Sequence, residues 1–399
     1  MYQSFGVFAI AFVILFGATR PAQAYTDGYA QADLDGILRT YEQLAAIDPD
    51  EPFATALRMQ GLRKIAFLHD FIVNGTWKMT DTARRLRLTP AKVVPEFSVP
   101  IESQIADLET RIIEDTLRCL EAPNIACMMD TAASGVAADH SSGLGFQGFY
   151  FGVLLRLHEQ FSLSSTRAVA ERLLFNSIDT GNLYLQRKSQ SPKSLYTYLL
   201  PELYAAGFEA NAAIMVEQFL RKYGGRSLDH SPGLLAIYYS KRWRDGKMDM
   251  LDLASKVHLA IDASKDQHMK AEGYSTLLMV LHRTGETNSL RSWIETARHD
   301  LDEFWHPRIG LALFQLGYPD AAKTFYPDEW FGQGDDELEH LAIRALGSAY
   351  MGDEREASDF DNGARKYMQS YLKNTDEPFQ WRRVHFSLLW LSEAALALE

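Results

Sequence analysis

The sequence predicts an all-α fold, a right-handed solenoid of antiparallel helical hairpins preceded by a short N-terminal helical segment. Three observations point there. Apolar residues recur at three- and four-residue spacing almost everywhere beyond residue 50, and strand signals are sparse. Glycines flanked by helix-like segments recur at Gly207, Gly246, Gly285 and Gly317, separated by 39, 39 and 32 residues. A single helical hairpin cannot bury its apolar face alone, so units repeating at this period stack.

The chain opens with an apolar run from Phe5 to Ala18, followed by Pro21-Ala22-Gln23-Ala24. Small residues at Ala22 and Ala24 form the A-x-A pattern of signal-peptidase cleavage, so residues 1–24 read as a signal peptide cleaved before Tyr25. The run is shorter than the ~20 residues that span a bilayer as a helix. It departs from the usual pattern in having no Lys or Arg before it, with Arg20 after it; the rivals are an uncleaved anchor or a misplaced start codon. No cysteine lies near Ala24 to carry a lipid. A periplasmic or secreted location follows, with no membrane insertion after cleavage. The chain has 52 acidic against 40 basic residues, a net charge of −12. That balance argues against nucleic-acid binding and against adhesion to an anionic membrane surface.

Residues 25–88 read as an N-terminal helical segment. Pro52 to Val73 carries Leu57, Leu62, Ile65, Leu68 and Ile72 on one face, and a shorter helical pattern covers Asp81 to Leu88. Residues 89–100, "TPAKVVPEFSVP", hold three prolines and read as an extended linker. The solenoid then runs over 101–399, beginning with a stripe of Ile101, Ile105, Leu108, Ile112 and Leu117. The only cysteines, Cys119 and Cys127, flank Pro123, which ends one helix and lets the chain turn back. In an oxidising compartment the pair forms a disulfide; the competing reading is two buried thiols in a helical hairpin.

Within the body the register is consistent. Eight residues before the four glycines stand Leu199, Tyr238, Leu277 and Ile309, and five residues after them Ala212, Leu251, Leu290 and Ala322. In "PRIGLALFQLGYPDAA", Ile309-Gly310, Leu313, Gly317 and Ala322 occupy the positions of an apolar-glycine pair, a packing residue, a turn glycine and a close-packing alanine. "ALGSAYMGDEREA" matches in part, through Leu346-Gly347 and Tyr350. These residues resemble the tetratricopeptide family over roughly residues 191–365. Other units depart from it: Arg242 stands at an apolar packing position, and Leu200, Tyr239 and Leu278 replace the first helix's small residue.

The resemblance implies a concave groove lined by first helices. Three residues before the turn glycines it places Tyr204, Trp243, His282 and Phe314, and two residues before them Ala205, Arg244, Arg283 and Gln315. Aromatics beside arginines suit a protein or peptide partner, with arginine pairing to carboxylates. The competing reading makes the aromatics core.

Gly143-Leu144-Gly145-Phe146-Gln147-Gly148 has the spacing of a dinucleotide fingerprint, but no strand pattern precedes it, and Glu171, the nearest ribose-binding acid, lies in a helical pattern. No cofactor is expected. His158-Glu159 lacks the second histidine of a zinc motif, and His299 and His306 share a face only if one helix continues through both, so no metal is assigned. No G-x-S-x-G string exists. The segment 328–339 gathers Asp328, Glu329, Asp335, Asp336, Glu337 and Glu339 around Trp330 and Phe331. Carboxylates beside aromatics could serve an enzyme acting on envelope polysaccharide, although acids at a helix start have a plain electrostatic cause. The sequence therefore favours a non-catalytic exported scaffold that binds a protein or peptide.

Overall fold

The computed structural model describes residues 25–73, 99–139, 143–187, 193–223, 231–325, 337–373 and 381–399. Their regular structure is entirely helical, as the periodicity predicts. The signal-peptide segment 1–24, the short helix at 81–88 and most of the linker lie outside the described residues.

The first five helices are α1 (Tyr25–Ala45), α2 (Ala54–Val73), α3 (Ile101–Glu121), α4 (Ile125–Ala138) and α5 (Gly143–Gln160). Helix α3 stops just short of Pro123, and Asn124 caps α4 by accepting a 2.9 Å bond from the Cys127 amide. Cys119 near the end of α3 and Cys127 in the first turn of α4 are disulfide-bonded, with Cα atoms 5.9 Å apart. On the chain-entropy account this short loop adds about 2–3 kcal/mol. Helix α2 packs on both α3 and α4, so the helices on either side of residues 74–98 share one apolar core.

From α5 onward the chain runs in hairpins. These are α5 with α6 (Ser164–Arg187), α7 (Lys193–Ala205) with α8 (Glu209–Tyr223), and α9 (Pro232–Arg244) with α10 (Met250–Ala263). Next come α11 (Gln267–Arg283) with α12 (Thr287–Asp300), α13 (His306–Gln315) with the short α14 (Pro319–Lys323), and α15 (Glu337–Tyr350) with α16 (Glu354–Lys373). The four predicted turn glycines hold φ of +88° at Gly207, +67° at Gly246, +79° at Gly285 and +81° at Gly317. That left-handed region costs a side chain free energy and costs glycine little. Each glycine amide bonds back three residues and the next amide five, as in Phe208 to Leu203 at 3.1 Å and Tyr318 to Leu313 at 2.9 Å, which satisfies the carbonyls of the ending helix. Gly352 repeats the geometry at +76°. Ser162 takes the same place after α5, with φ +55° and the Leu163 amide on His158 O at 3.0 Å. A search on glycine spacing cannot see that sixth turn.

First helices pack on one another in sequence: α5 on α7, α7 on α9, α9 on α11, α11 on α13. The last helix, α17 (Trp381–Leu398), returns to the beginning, packing along α15, along α4 and against α5. The seam is tight. A Cβ on Gly135 of α4 would stand 2.0 Å from the His385 ring of α17. His385 is fully buried, its Nδ1 donates to the Trp381 carbonyl at 2.9 Å, and burial pushes its pKa down to about 4. Phe386 fills the next turn between Tyr150 and Trp390, with ring centroids at 4.4 and 4.1 Å. Gly135→Ala is therefore expected to cost about 1–3 kcal/mol through overpacking, read as a lower urea midpoint at unchanged helical content. An unchanged midpoint would mean that α17 does not sit on α4 in this way.

Candidate functional site

The structure distributes the predicted groove column unevenly. Tyr204 is fully buried and Phe314 is 4 % exposed, so both are core, while Trp243 and His282 are half-buried. His282 Nδ1 shares a 3.0 Å hydrogen bond with the Tyr318 hydroxyl. Phe314 stacks on Tyr350 with centroids 5.4 Å apart and 11° between planes. The arginines converge. Arg244, at the end of α9, donates from Nη2 to the Tyr204 hydroxyl at 3.0 Å and lies 5.6 Å from that ring's centroid. Arg283, at the end of α11, donates to the Ala205 carbonyl and lies 3.8 Å from Glu209. Two helices thus deliver guanidiniums to the last turn of α7. The last turn of α9 adds Lys241 and Arg242, of which Lys241 is paired with Asp245 at 3.1 Å and with Glu217 at 3.6 Å.

Gln315, the last of the column, belongs to a second constellation. Its Nε2 donates to Glu393 Oε1 at 2.8 Å, and the same oxygen accepts from the Tyr350 hydroxyl at 2.7 Å. Arg156 of α5 closes on Glu393 with Nη2 at 3.1 Å and Nη1 at 3.3 Å, and its Nε reaches Glu202 of α7 at 3.3 Å. Gln160 completes the set, accepting from Arg156 at 3.0 Å and donating to Tyr350 at 2.8 Å. The Glu393 side chain is fully buried and that of Arg156 is 10 % exposed. Burial works to lower the Arg156 pKa, but Glu393 and Glu202 outweigh it and hold the guanidinium charged. Burial pushes the Glu202 carboxyl up and Arg156 pulls it back. Every polar group at the centre has a partner, so this network ties α5, α7, α13, α15 and α17 together.

A third group is not satisfied. Glu272 of α11 is 2 % exposed, and neither carboxyl oxygen has a hydrogen-bond partner. It packs on the bare backbone of Gly233, where a Cβ would come within 2.9 Å of Oε1. Burial pushes its pKa up to about 8, against the pull of Arg308. Arg308 Nη1 lies 3.0 Å from His268 Nε2, one turn before Glu272. Burial first, and Arg308 second, hold His268 below its ordinary pKa.

Among the described residues, the donors that could hold a metal are His258 and Asp262 on α10 with Asp300 on α12, their ligand atoms within 4.8 Å of one another. His258 Nε2 lies 3.4 Å from Asp300 and 3.6 Å from Asp262, and the Tyr274 hydroxyl bonds to Asp300. The cluster is partly exposed. His299 and His306 do not share a helix: α12 ends at Asp300, and His306 Nε2 faces the Arg298 and Leu301 carbonyls at 3.2 Å. His158 is a core histidine bonded to the Leu154 carbonyl and to Thr166. The string from Gly143 to Gly148 forms the first turns of α5, with α4 as the preceding element. Of the acidic segment, Asp328 to Asp336 lie outside the described residues, while Glu337 and Glu339 begin α15.

No protein-family model matches the chain, and comparisons with curated proteins and with solved structures return no significant match.

Proposed function

We propose that the chain is a non-catalytic, exported scaffold, a right-handed tetratricopeptide-like solenoid of helical hairpins that binds a protein or peptide partner. The convergence of Arg244 and Arg283 on the end of α7, with the half-buried Trp243 next to Arg244 in the chain, carries this reading. Indole supplies contact area, and guanidinium pairs with carboxylates in a bidentate fork, so an acidic segment of the partner is the matching ligand. The recurrent glycine turns support the repeat, because equal turns hold successive helix ends at one edge. Tyr204 supports that edge from within, and Phe314 is core against Tyr350.

The test is affinity capture by the exported chain from the envelope fraction of its own organism, with Arg244→Glu/Arg283→Glu and Trp243→Ala beside the wild type. One recurrent protein, retained by the wild type and lost by at least tenfold with the arginine pair reversed, is the expected result. Equal capture by all three chains would overturn the assignment of this edge.

A further inference from the structure

We propose that His258, Asp262 and Asp300 bind one zinc ion, with the fourth coordination position open to water. This inference is independent of the partner-binding edge. The sequence assigns no metal because the donors follow no familiar ligand spacing: His258 and Asp262 stand four residues apart on α10, and Asp300 lies on α12. Folding brings the second helices of two successive hairpins together at this point. Tyr274 of α11 stands beside both, its ring next to His258 and its hydroxyl on Asp300.

The distances fit coordination better than hydrogen bonding. Zinc takes imidazole nitrogen and carboxylate oxygen at about 2.0–2.2 Å, so neighbouring ligands of a tetrahedral site stand about 3.4 Å apart. His258 Nε2 lies 3.4 Å from Asp300 Oδ2 and 3.6 Å from Asp262 Oδ1, and all three atoms fall within 4.8 Å of one another. An N–H···O bond prefers about 2.9 Å. Residues at i and i+4 share a helix face, which lets one turn of α10 supply two ligands.

Charge and support point the same way. Asp262 and Asp300 bring two negative charges to one place, and among the described residues no lysine or arginine forms an ion pair with either. A neutral imidazole with two carboxylates balances a divalent cation, and the imidazole nitrogen selects zinc over magnesium or calcium. A carboxylate oxygen has two lone pairs, so Asp300 Oδ2 can accept from the Tyr274 hydroxyl and still face the metal, the outer support that ligating carboxylates ordinarily have. Trp293 packs on the His258 ring with centroids 5.0 Å apart, and Tyr274 lies at 6.2 Å, which limits rotation of the imidazole. The side chains of His258, Asp262 and Asp300 are 28 %, 50 % and 31 % exposed, so an ion reaches them from solvent.

The experiment is a calorimetric titration of the untagged full chain, stripped with EDTA and dialysed, with zinc chloride, and with magnesium and calcium chloride for comparison. One zinc per chain at ~10 µM or tighter is expected, with a higher melting temperature when zinc is present. His258→Ala and Asp300→Asn should each weaken binding at least tenfold and reduce the melting shift. Asp300→Asn conserves shape, so it keeps the test open should His258→Ala fail to fold. Tyr274→Phe keeps the ring, removes the hydroxyl and should weaken zinc about tenfold through positioning of Asp300 alone. No zinc binding at that concentration would overturn the proposal, as would zinc binding that the His258 and Asp300 variants leave unchanged. Magnesium or calcium binding more tightly than zinc would also overturn it. His258 would then be an imidazolium paired with two carboxylates.

Discussion

Glu272→Gln is expected to gain about 4 kcal/mol of stability relative to the wild-type chain as the pH rises from about 5 to about 8. The reason is the buried carboxyl without hydrogen-bond partners. Its pKa rises from an ordinary 4.5 to about 8 in the folded chain, so between those values the native state keeps a proton that the unfolded state has released. The contribution of this one group to stability then falls by about 1.4 kcal/mol for each pH unit across that window and levels off above it. Glutamine carries no titrating proton and keeps the shape that fits against Gly233. Urea midpoints of the two chains measured from pH 5 to about pH 9 decide the matter. Parallel curves would show that Glu272 is hydrated or paired in solution.

Glu393→Ala is expected to destabilise by about 3–5 kcal/mol, because it leaves the Arg156 guanidinium buried with only Glu202 nearby. The same deletion removes the acceptor shared by Gln315 and Tyr350. The triple variant Arg156→Met/Glu202→Leu/Glu393→Leu should recover part of that loss, since it removes the guanidinium together with both carboxylates that face it. Chemical unfolding of both variants gives the comparison. A single variant within about 1 kcal/mol of the wild type would mean that the network is open to water.

How much of this was legible in the sequence depends on which property each feature repeats. Turn glycines repeat a backbone need, a positive φ at the end of each first helix, and Gly207, Gly246, Gly285 and Gly317 could be found by spacing alone. Ser162 meets the same need with a side chain and hides from that search. The cysteine pair was legible because Pro123 forces the turn that brings α3 and α4 together. The groove column was only half legible. The register placed Arg244 and Arg283 at equivalent helix ends, and they do meet at α7, but register alone cannot say whether an aromatic beside them faces inward, as Tyr204 does. The buried network left a different signal that spacing rules pass over. Arg156 stands alone in "GFYFGVLLRL" and Glu393 alone in "LLWLSEAALAL", single charges inside apolar runs. Such charges are costly unless paired, and their partner can come from any distance along the chain. Here it lies at the opposite end of the helical body, which only the return of α17 reveals.

Helix α17 packs on α15, on α4 and against α5, which joins the late helices to the early ones. An open array would unfold from its ends, each unit answering only to its neighbours. Hydrogen exchange on Glu393→Ala, compared with wild type residue by residue, tests the difference directly. Loss of protection in α4 and α5 together with α15 and α17 is the predicted result, since those helices meet across the seam. Loss confined to α17, with α4 and α5 as protected as before, would contradict that packing.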